Sequence, residues 1–169
     1  MDTIHRSART CIKQIPAVFK LVNWYPHTSN LDIGGGKFEE ATKYLAERSV
    51  GNFIYDPYNR TSDHNARMLE RYDYDTVTLC NVLNVIETST GITEVLWLAR
   101  RHVKVGGCIY ISVYEGNRSG RPCIGKTGTW QANKRLHVYM KWVHGVFGGC
   151  QITKMYRKGS GFSYLCIKV

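Results

Sequence analysis

Short apolar runs alternate with amphipathic stretches along most of this 169-residue chain. Asn30 to Ile33 reads as a strand running into Gly34-Gly35-Gly36. Lys37 to Arg48 carries Phe38, Ala41 and Leu45 at helical spacing, and Gly51 stops it. Asn52 to Asp56 is the next strand and Ser62 to Arg71 a short helix. Thr76 to Val82 has the composition of a strand covered on both faces. Gly91 to His102 is helical, with Ile92, Val95, Leu96 and Ala99 inward. Gly106-Gly107 turns the chain into the strand Cys108 to Tyr114. Gly116 to Thr129 is a loop, followed by an amphipathic helix from Gln131 to Phe147. That helix has Leu136, Tyr139, Met140, Val143 and Phe147 on one side and Lys134, His137, Lys141 and His144 on another. Gln151 to Arg157 and Phe162 to Lys168 form a closing hairpin around Lys158-Gly159-Ser160-Gly161. Met1 to Asn30 is a lead-in with one or two short helices, broken at Pro16.

Strands alternating with helices predict a three-layer α/β sandwich around a mostly parallel sheet of about six strands, with one antiparallel strand at the C-terminal end. The whole chain, 1–169, is expected to be one domain: a helical lead-in 1–29, a half 30–115 with a ligand site, and a basic half 116–169. No apolar run approaches the roughly 18 residues of a membrane span. The first twenty residues lack the apolar core of a signal peptide, so a cytoplasmic setting is expected. No Cys-x-x-Cys pair occurs among the six cysteines, and no metal site is expected. Cys80, Cys108 and Cys166 lie in apolar runs and read as reduced core residues.

Charge changes the picture in the last third. Met1 to Glu115 carries 13 Lys+Arg and 13 Asp+Glu, whereas Gly116 to Val169 carries ten basic residues and no carboxylate side chain. The entire +10 excess lies there, and unpaired basic residues favour a polyanionic partner over a merely solvated face. Nucleic-acid contacts are assigned to Arg118, Arg121, Lys126, Trp130, Gln131, Lys134, Arg135 and Lys141. Trp130 beside Gln131 suits base stacking and edge reading, although a core anchor is an equal reading of the tryptophan.

The chemistry-bearing stretch is Leu31-Asp32-Ile33-Gly34-Gly35-Gly36-Lys37-Phe38-Glu39. A strand ending in glycines before a helix lets a ligand approach the backbone. Asp56 follows Gly36 by twenty residues, at the end of the second strand, where an acid accepts hydrogen bonds from ribose hydroxyls. An adenosine-containing ligand is therefore expected. Glu39 occupies the third position of a dinucleotide fingerprint, where its charge would face a pyrophosphate. The cationic S-adenosylmethionine (SAM) suits Asp32 better than NAD does.

Asn30 to Glu115 resembles the core of class I SAM-dependent methyltransferases, about half of the chain. The likeness rests on Leu31 to Gly36, Phe53-Ile54-Tyr55-Asp56-Pro57-Tyr58, Tyr74 to Leu83, and the Gly-Gly before an apolar strand in Arg100 to Val113. The phrasing most resembles small bacterial and phage-encoded members, some associated with DNA modification, for which the setting would be the host cytoplasm. The resemblance implies a Rossmann-like fold with SAM as cofactor. It implies that Asp32, Gly34, Gly35 and Gly36 lie beside the methionine part, Asp56 holds the ribose, Pro57 and Tyr58 flank the adenine, and Asn81 and Val82 lie near the sulfonium. Phe38 replaces a frequent third glycine. Only about 17 residues separate Asp56 from Asp73, so the usual third strand is expected to be missing.

Acceptor motifs fail. Gly120 to Thr127 matches a phosphate-loop pattern, but Gly128 argues against the helix it needs and no acid follows Glu115 to hold magnesium. Asn81-Val82-Leu83-Asn84 keeps the asparagine of amino-methylating DNA enzymes without the prolines. Pro122-Cys123 is a distant echo of a thiol nucleophile. Asn81, Tyr114 and Glu115 remain as weak catalytic candidates, with His64 behind them. The leading expectation is methyl transfer to RNA or DNA. A small-molecule acceptor, and a non-catalytic nucleic-acid-binding or activator module, stand beside it.

Overall fold

The apolar runs become strands β1 (Ser29–Ile33), β2 (Gly51–Tyr55), β3 (Tyr74–Cys80), β4 (Val103–Tyr114), β5 (Cys123–Ile124), β6 (Trp130–Gln131), β7 (Gln151–Met155) and β8 (Phe162–Lys168). Helices α1 (Glu40–Ala46), α2 (Ser62–Met68), α3 (Ser89–His102) and α4 (Leu136–Val146) intervene. This computed structural model describes residues 12–125, 128–155 and 161–169. Six strands form one sheet in the order β2-β1-β3-β4-β8-β7, and β5 pairs with β6 in a separate ribbon. The β1, β2, β3 and β4 neighbours are parallel, and β8 runs against both β4 and β7. One strand therefore opposes five, as expected. The sheet ends at β2 because the short interval to Asp73 holds only α2.

Side-chain alternation assigns the two faces of the sheet. Ile109, Ile111 and Val113 of β4 join Leu31, Ile33, Val77, Leu79, Leu165 and Ile167 beneath α3 and α4, which contribute Ile92, Leu96, Ala99, Leu136, Tyr139 and Val143. The other face carries Tyr110 and Tyr164 against Val18, Phe19, Ala41 and Leu45. Among the described residues the lead-in supplies a 3-10 turn there, Ala17–Lys20, starting just after Pro16. Among the described residues no helix is long and apolar enough to cross a membrane.

Several boundaries differ from the sequence reading. The chain from Lys37 to Glu39 belongs to the turn after β1, so α1 starts at Glu40. Gly106-Gly107 is no turn: β4 already begins at Val103, and its register against β3 shifts between Tyr74↔Val103 and Thr76↔Cys108. Gly106, at φ 77°, absorbs the irregularity and donates its N–H to the Val169 carbonyl at 2.7 Å. The helix expected from Gln131 begins at Leu136, because Trp130–Gln131 pairs with Cys123–Ile124 and Asn133 takes φ 53°. Helical spacing alone could not see that ribbon. Lys134 thus precedes α4, leaving His137, Lys141 and His144 exposed on it. The tip of the hairpin, with Arg157 and Lys158, lies outside the described residues.

Glu115 joins the two halves. Its Oε1 accepts the Leu136 N–H at 2.8 Å and the Ser163 hydroxyl at 2.7 Å, and its Oε2 accepts Arg118 Nε at 2.8 Å. One carboxylate thus supports the N-terminus of α4, the start of β8 and the loop after β4. Burial raises its pKa, but the hydrogen bonds from Leu136 and Ser163 and the Arg118 charge outweigh burial and leave it below the ordinary value. Glu115→Ala strands the Leu136 N–H and the Ser163 hydroxyl, and the expected loss of stability is about 2–4 kcal/mol. The contribution is complete above the unfolded pKa of about 4.3 and disappears as pH falls through the lower folded pKa. Urea titrations of wild type and variant should differ at pH 7 and converge under strong acid.

Candidate functional site

The turn after β1 is tied to the end of β2. Gly34 donates its N–H to the Tyr55 carbonyl at 2.7 Å, and Gly36 donates to Asp56 Oδ2 at 2.9 Å. Asp56 Oδ1 accepts the backbone N–H groups of Tyr58 at 2.9 Å and Asn59 at 3.0 Å. Asn65 grips the backbone of Asp56 from behind, accepting its N–H and donating to its carbonyl, each at 2.9 Å. Arg60 donates to the Gly36 carbonyl at 2.8 Å and pairs with Glu39 at 2.6 Å. Asp56 is therefore a loop-organising acid as well as a candidate ligand group. A Cβ on Gly34, at φ 76°, would stand 2.6 Å from Val82 Cγ2, so glycine lets the ends of β1 and β3 approach.

A polar ladder crosses the sheet beneath this turn. Asn30 Nδ2 donates to Asn52 Oδ1 at 2.8 Å and to Thr78 Oγ1 at 3.0 Å, and Thr78 donates to Asp32 Oδ1 at 2.8 Å. Asp32 is 1% exposed. Burial, opposed by the Thr78 bond and the Arg60 charge and aided by the Asp56 charge, pushes its pKa up to about 7. A Cβ on Gly35 would fall 2.5 Å from Asp32 Oδ2, so the carboxylate lies directly under the glycines.

The turn opens onto a cavity of about 1240 Å³ at the carboxyl edge of the strands. Every residue assigned from sequence to the cofactor lines it: Asp32, Gly34, Gly35, Gly36, Asp56, Pro57, Tyr58, Asn81 and Val82. The charged residues in its lining are Asp32, Glu40, Asp56, Glu87 and Glu94, and the described lining contains no Lys, Arg or His. Glu40, at the start of α1, lines the cavity, while its neighbour Glu39 is paired with Arg60 outside the lining.

The opposite wall comes from the end of β3, the end of β4 and the β5–β6 ribbon. Asn81, at φ 60°, donates its N–H to the Ser112 carbonyl at 2.9 Å. Tyr114 lies on this wall, 41% exposed, with its ring 5.1 Å from that of Phe162. Glu115 lies outside the lining with both oxygens engaged, and His64 Nε2 bonds the Ile54 carbonyl at 2.8 Å behind β2. Asn59, Asn84, Gln131 and Asn133 also line the cavity. Gln131 was assigned to nucleic acid from sequence, and the other three were not singled out for the site. Spacing gave no signal for them, since turns and a two-residue ribbon bring them together.

The described members of the assigned basic set do not line the cavity. Arg121, Arg135 and Lys141 are exposed, and Lys134 and Trp130 are half-buried. Arg118 pairs with Glu115, Lys141 stands 4.3 Å from the Trp142 ring centre, and Lys126 lies outside the described residues. Helix α4 begins beside the cavity edge at Glu115 and runs toward β7, which starts at the far edge. Its eleven residues span about 16 Å, so Lys141 and His144 stand away from the cavity mouth.

No protein-family model matches the chain, and no curated protein matches it. Solved structures share its fold. A 1,6-didemethyltoxoflavin-N1-methyltransferase from Burkholderia thailandensis, with 1,6-didemethyltoxoflavin and S-adenosylhomocysteine bound, is 14% identical at TM-score 0.61, covering 98% of this chain and 77% of its own. A TehB-like SAM-dependent methyltransferase from Corynebacterium glutamicum is 14% identical at TM-score 0.58, covering 98% and 88%. A Rhodobacter sphaeroides protein named as a Zn-dependent alcohol dehydrogenase is 11% identical at TM-score 0.65, covering 99% of each chain. The Rossmann-like α/β fold is thereby shown.

Asp32 supplies a check on the site's electrostatics. Its folded pKa of about 7 lies above the unfolded value near 3.8, so its ionised form opposes folding. Below the unfolded value it is protonated in both states; as pH rises to the folded pKa, stability falls by up to about 4 kcal/mol. Asp32→Asn removes that slope while keeping an acceptor for Thr78. Urea denaturation between pH 4 and pH 8 should show wild type losing stability relative to the variant, and parallel curves would refute the raised pKa.

Proposed function

We propose that the chain binds SAM in the carboxyl-edge cavity and transfers its methyl group to an acceptor entering from the Tyr114 side. One observation carries this reading: a glycine turn between the buried carboxylates Asp32 and Asp56, in a cavity whose described lining is acidic and holds no basic side chain. SAM presents a sulfonium and an ammonium and no phosphate, so it suits this lining, whereas a dinucleotide would bring its pyrophosphate into a lining whose described charged groups are all acids. Asp32 and the glycines would hold the methionine part, Asp56 and Tyr58 the adenosine, and Asn81 and Val82 the region of the sulfonium. When bound, SAM supplies an electrophilic methyl group, and the chain orients it and excludes water. Asp56 would share its carboxylate between ribose and the turn it organises.

Two observations bear on the acceptor. The basic segment 116–169 favours a nucleic acid, as RNA or DNA, held outside the cavity. The acidic lining favours an uncharged group at the methyl donor, because a phosphate would be repelled there. Both hold if a single base enters while its phosphates stay on Arg121 and Arg135 outside. A small uncharged acceptor, as the Burkholderia enzyme takes 1,6-didemethyltoxoflavin, satisfies the lining alone and is the second reading.

SAM and S-adenosylhomocysteine should bind the protein in calorimetry, and NAD should not. Asp56→Asn, which keeps the shape and removes the charge, should weaken both by about tenfold or more. Absence of SAM binding by folded wild type would end this proposal. Tritiated methyl from SAM, offered with DNA, RNA and small-molecule extracts, identifies the acceptor class. Transfer to none of them would leave the non-catalytic module as the better account. If the acceptor is a nucleic acid, mobility-shift affinity should fall steeply with salt and be lost when Arg121, Lys126, Lys134 and Lys141 are reversed to Glu, with SAM binding retained.

A further inference from the structure

Asn84 lies in the 3-10 turn Leu83–Val85 just beyond β3, 2% exposed, and it lines the cavity. Its backbone carbonyl accepts the Ala132 N–H at 2.9 Å. Its side-chain Nδ2 donates to Gln131 Oε1 at 2.9 Å, and Gln131 Nε2 donates in turn to the Tyr114 carbonyl at 3.0 Å. This chain of bonds orients both amides. The Tyr114 carbonyl accepts, so Gln131 presents its oxygen to Asn84, and Asn84 must present its nitrogen to Gln131. The remaining atom, Asn84 Oδ1, is buried and has no hydrogen-bond partner.

A buried amide oxygen with no donor is costly and uncommon. The other amides of this wall are engaged: Asn133 Nδ2 donates to the Arg121 carbonyl at 3.0 Å and to Cys123 Sγ at 3.2 Å, and Asn81 Oδ1 lies 3.5 Å from the Ser112 hydroxyl. The unused capacity at Asn84 is that of an acceptor, so a complementary ligand must bring a hydrogen. A carboxylate or phosphate has none to bring and would also meet the nearby lining acid Glu87. Tyr114, Val82 and Ile86 give the surrounding wall apolar and aromatic surface suited to a flat ring.

We propose that Asn84 Oδ1 accepts a hydrogen bond from an N–H of the methyl acceptor, which makes the acceptor an uncharged ring bearing an amine or amide. The proposal rests on the reading of the cavity as a methyl-transfer site. It makes Asn84 the residue that selects the acceptor, and Gln131 the residue that holds Asn84 in the selecting orientation.

The test uses neutral probe pairs that differ in N–H: 9-methyladenine with 9-methylpurine, 1-methylcytosine with 1-methyl-2-pyrimidinone, and benzamide with N,N-dimethylbenzamide. Each is titrated by ligand-observed NMR into the full chain saturated with S-adenosylhomocysteine. For at least one pair the N–H member should bind wild type about tenfold more tightly. In Asn84→Ala the gap should shrink below about twofold, and in Asn84→Asp, which keeps an acceptor, a preference for the N–H member should remain. A merely structural asparagine would weaken both members of a pair alike. Absence of a gap for every pair in wild type, or a gap that survives Asn84→Ala, overturns the proposal. S-adenosylhomocysteine affinity is measured on the same samples. If wild type does not bind it, the methyl-transfer reading fails separately, and the titrations on the protein alone are judged by the same gap.

Discussion

The bond from the Gly36 N–H to the Asp56 carboxylate, at 2.9 Å, is the constraint on which the site depends. It fastens the turn after β1 to the end of β2, and Asp56 in turn fixes the Tyr58 and Asn59 backbone. With both chains held back, the carboxyl edge between β1 and β3 stays open. Charge–dipole hydrogen bonds to a buried carboxylate are strong enough to do this without a helix end directly at the crevice. That α1 begins only at Glu40 is the structural counterpart: the glycine turn is held by an acid, and the helix start beside it is acidic as well.

Charge is divided in the molecule by depth. The charged side chains in the described cavity lining are all acids, with Asp32 so buried beneath Gly35 that its carboxyl is pushed up to about 7. Of the basic excess in the last third, the described Arg118, Arg121, Lys134 and Arg135 lie between β4 and α4, Lys141 on α4, and Lys154 and Lys168 on β7 and β8, and none of them lines the cavity. A cation approaching Asp32 would favour its ionised form, so a positively charged ligand and this buried acid stabilise each other. An anion in the cavity would gain nothing from the outer basic residues and would be repelled by the inner acids.

The acceptor side is assembled from pieces distant in the chain. Glu115 attaches α4 and β8 to the end of β4, which brings the β5–β6 ribbon back over the end of β3. Gln131 then spans from Tyr114 to Asn84. Because a two-residue ribbon has little stability of its own, these side-chain bonds are what hold it against the cavity wall.

Much of the fold was legible in the chain. Period-two and period-3.6 patterning located the six strands of the sheet and the four helices, and the short interval after Asp56 announced the missing strand. The cofactor-side residues were legible too, because a glycine turn and an acid twenty residues later are local features of successive strand ends. Boundaries failed where a long-range partner decides them: β4 runs through Gly106-Gly107 because β3 and Val169 continue to pair with it, and α4 starts late because Trp130 and Gln131 pair with β5. By itself the sequence determined an α/β sheet with an anionic crevice after its first strand and a basic last third. Only the tertiary structure decided that Glu115 is a cap rather than a cavity group, that the described basic residues stay out of the cavity lining, and that Asn84, in that lining, keeps a buried oxygen without a partner. Those outcomes depend on hydrogen bonds between residues up to about fifty positions apart, and such bonds leave no periodic trace in the chain.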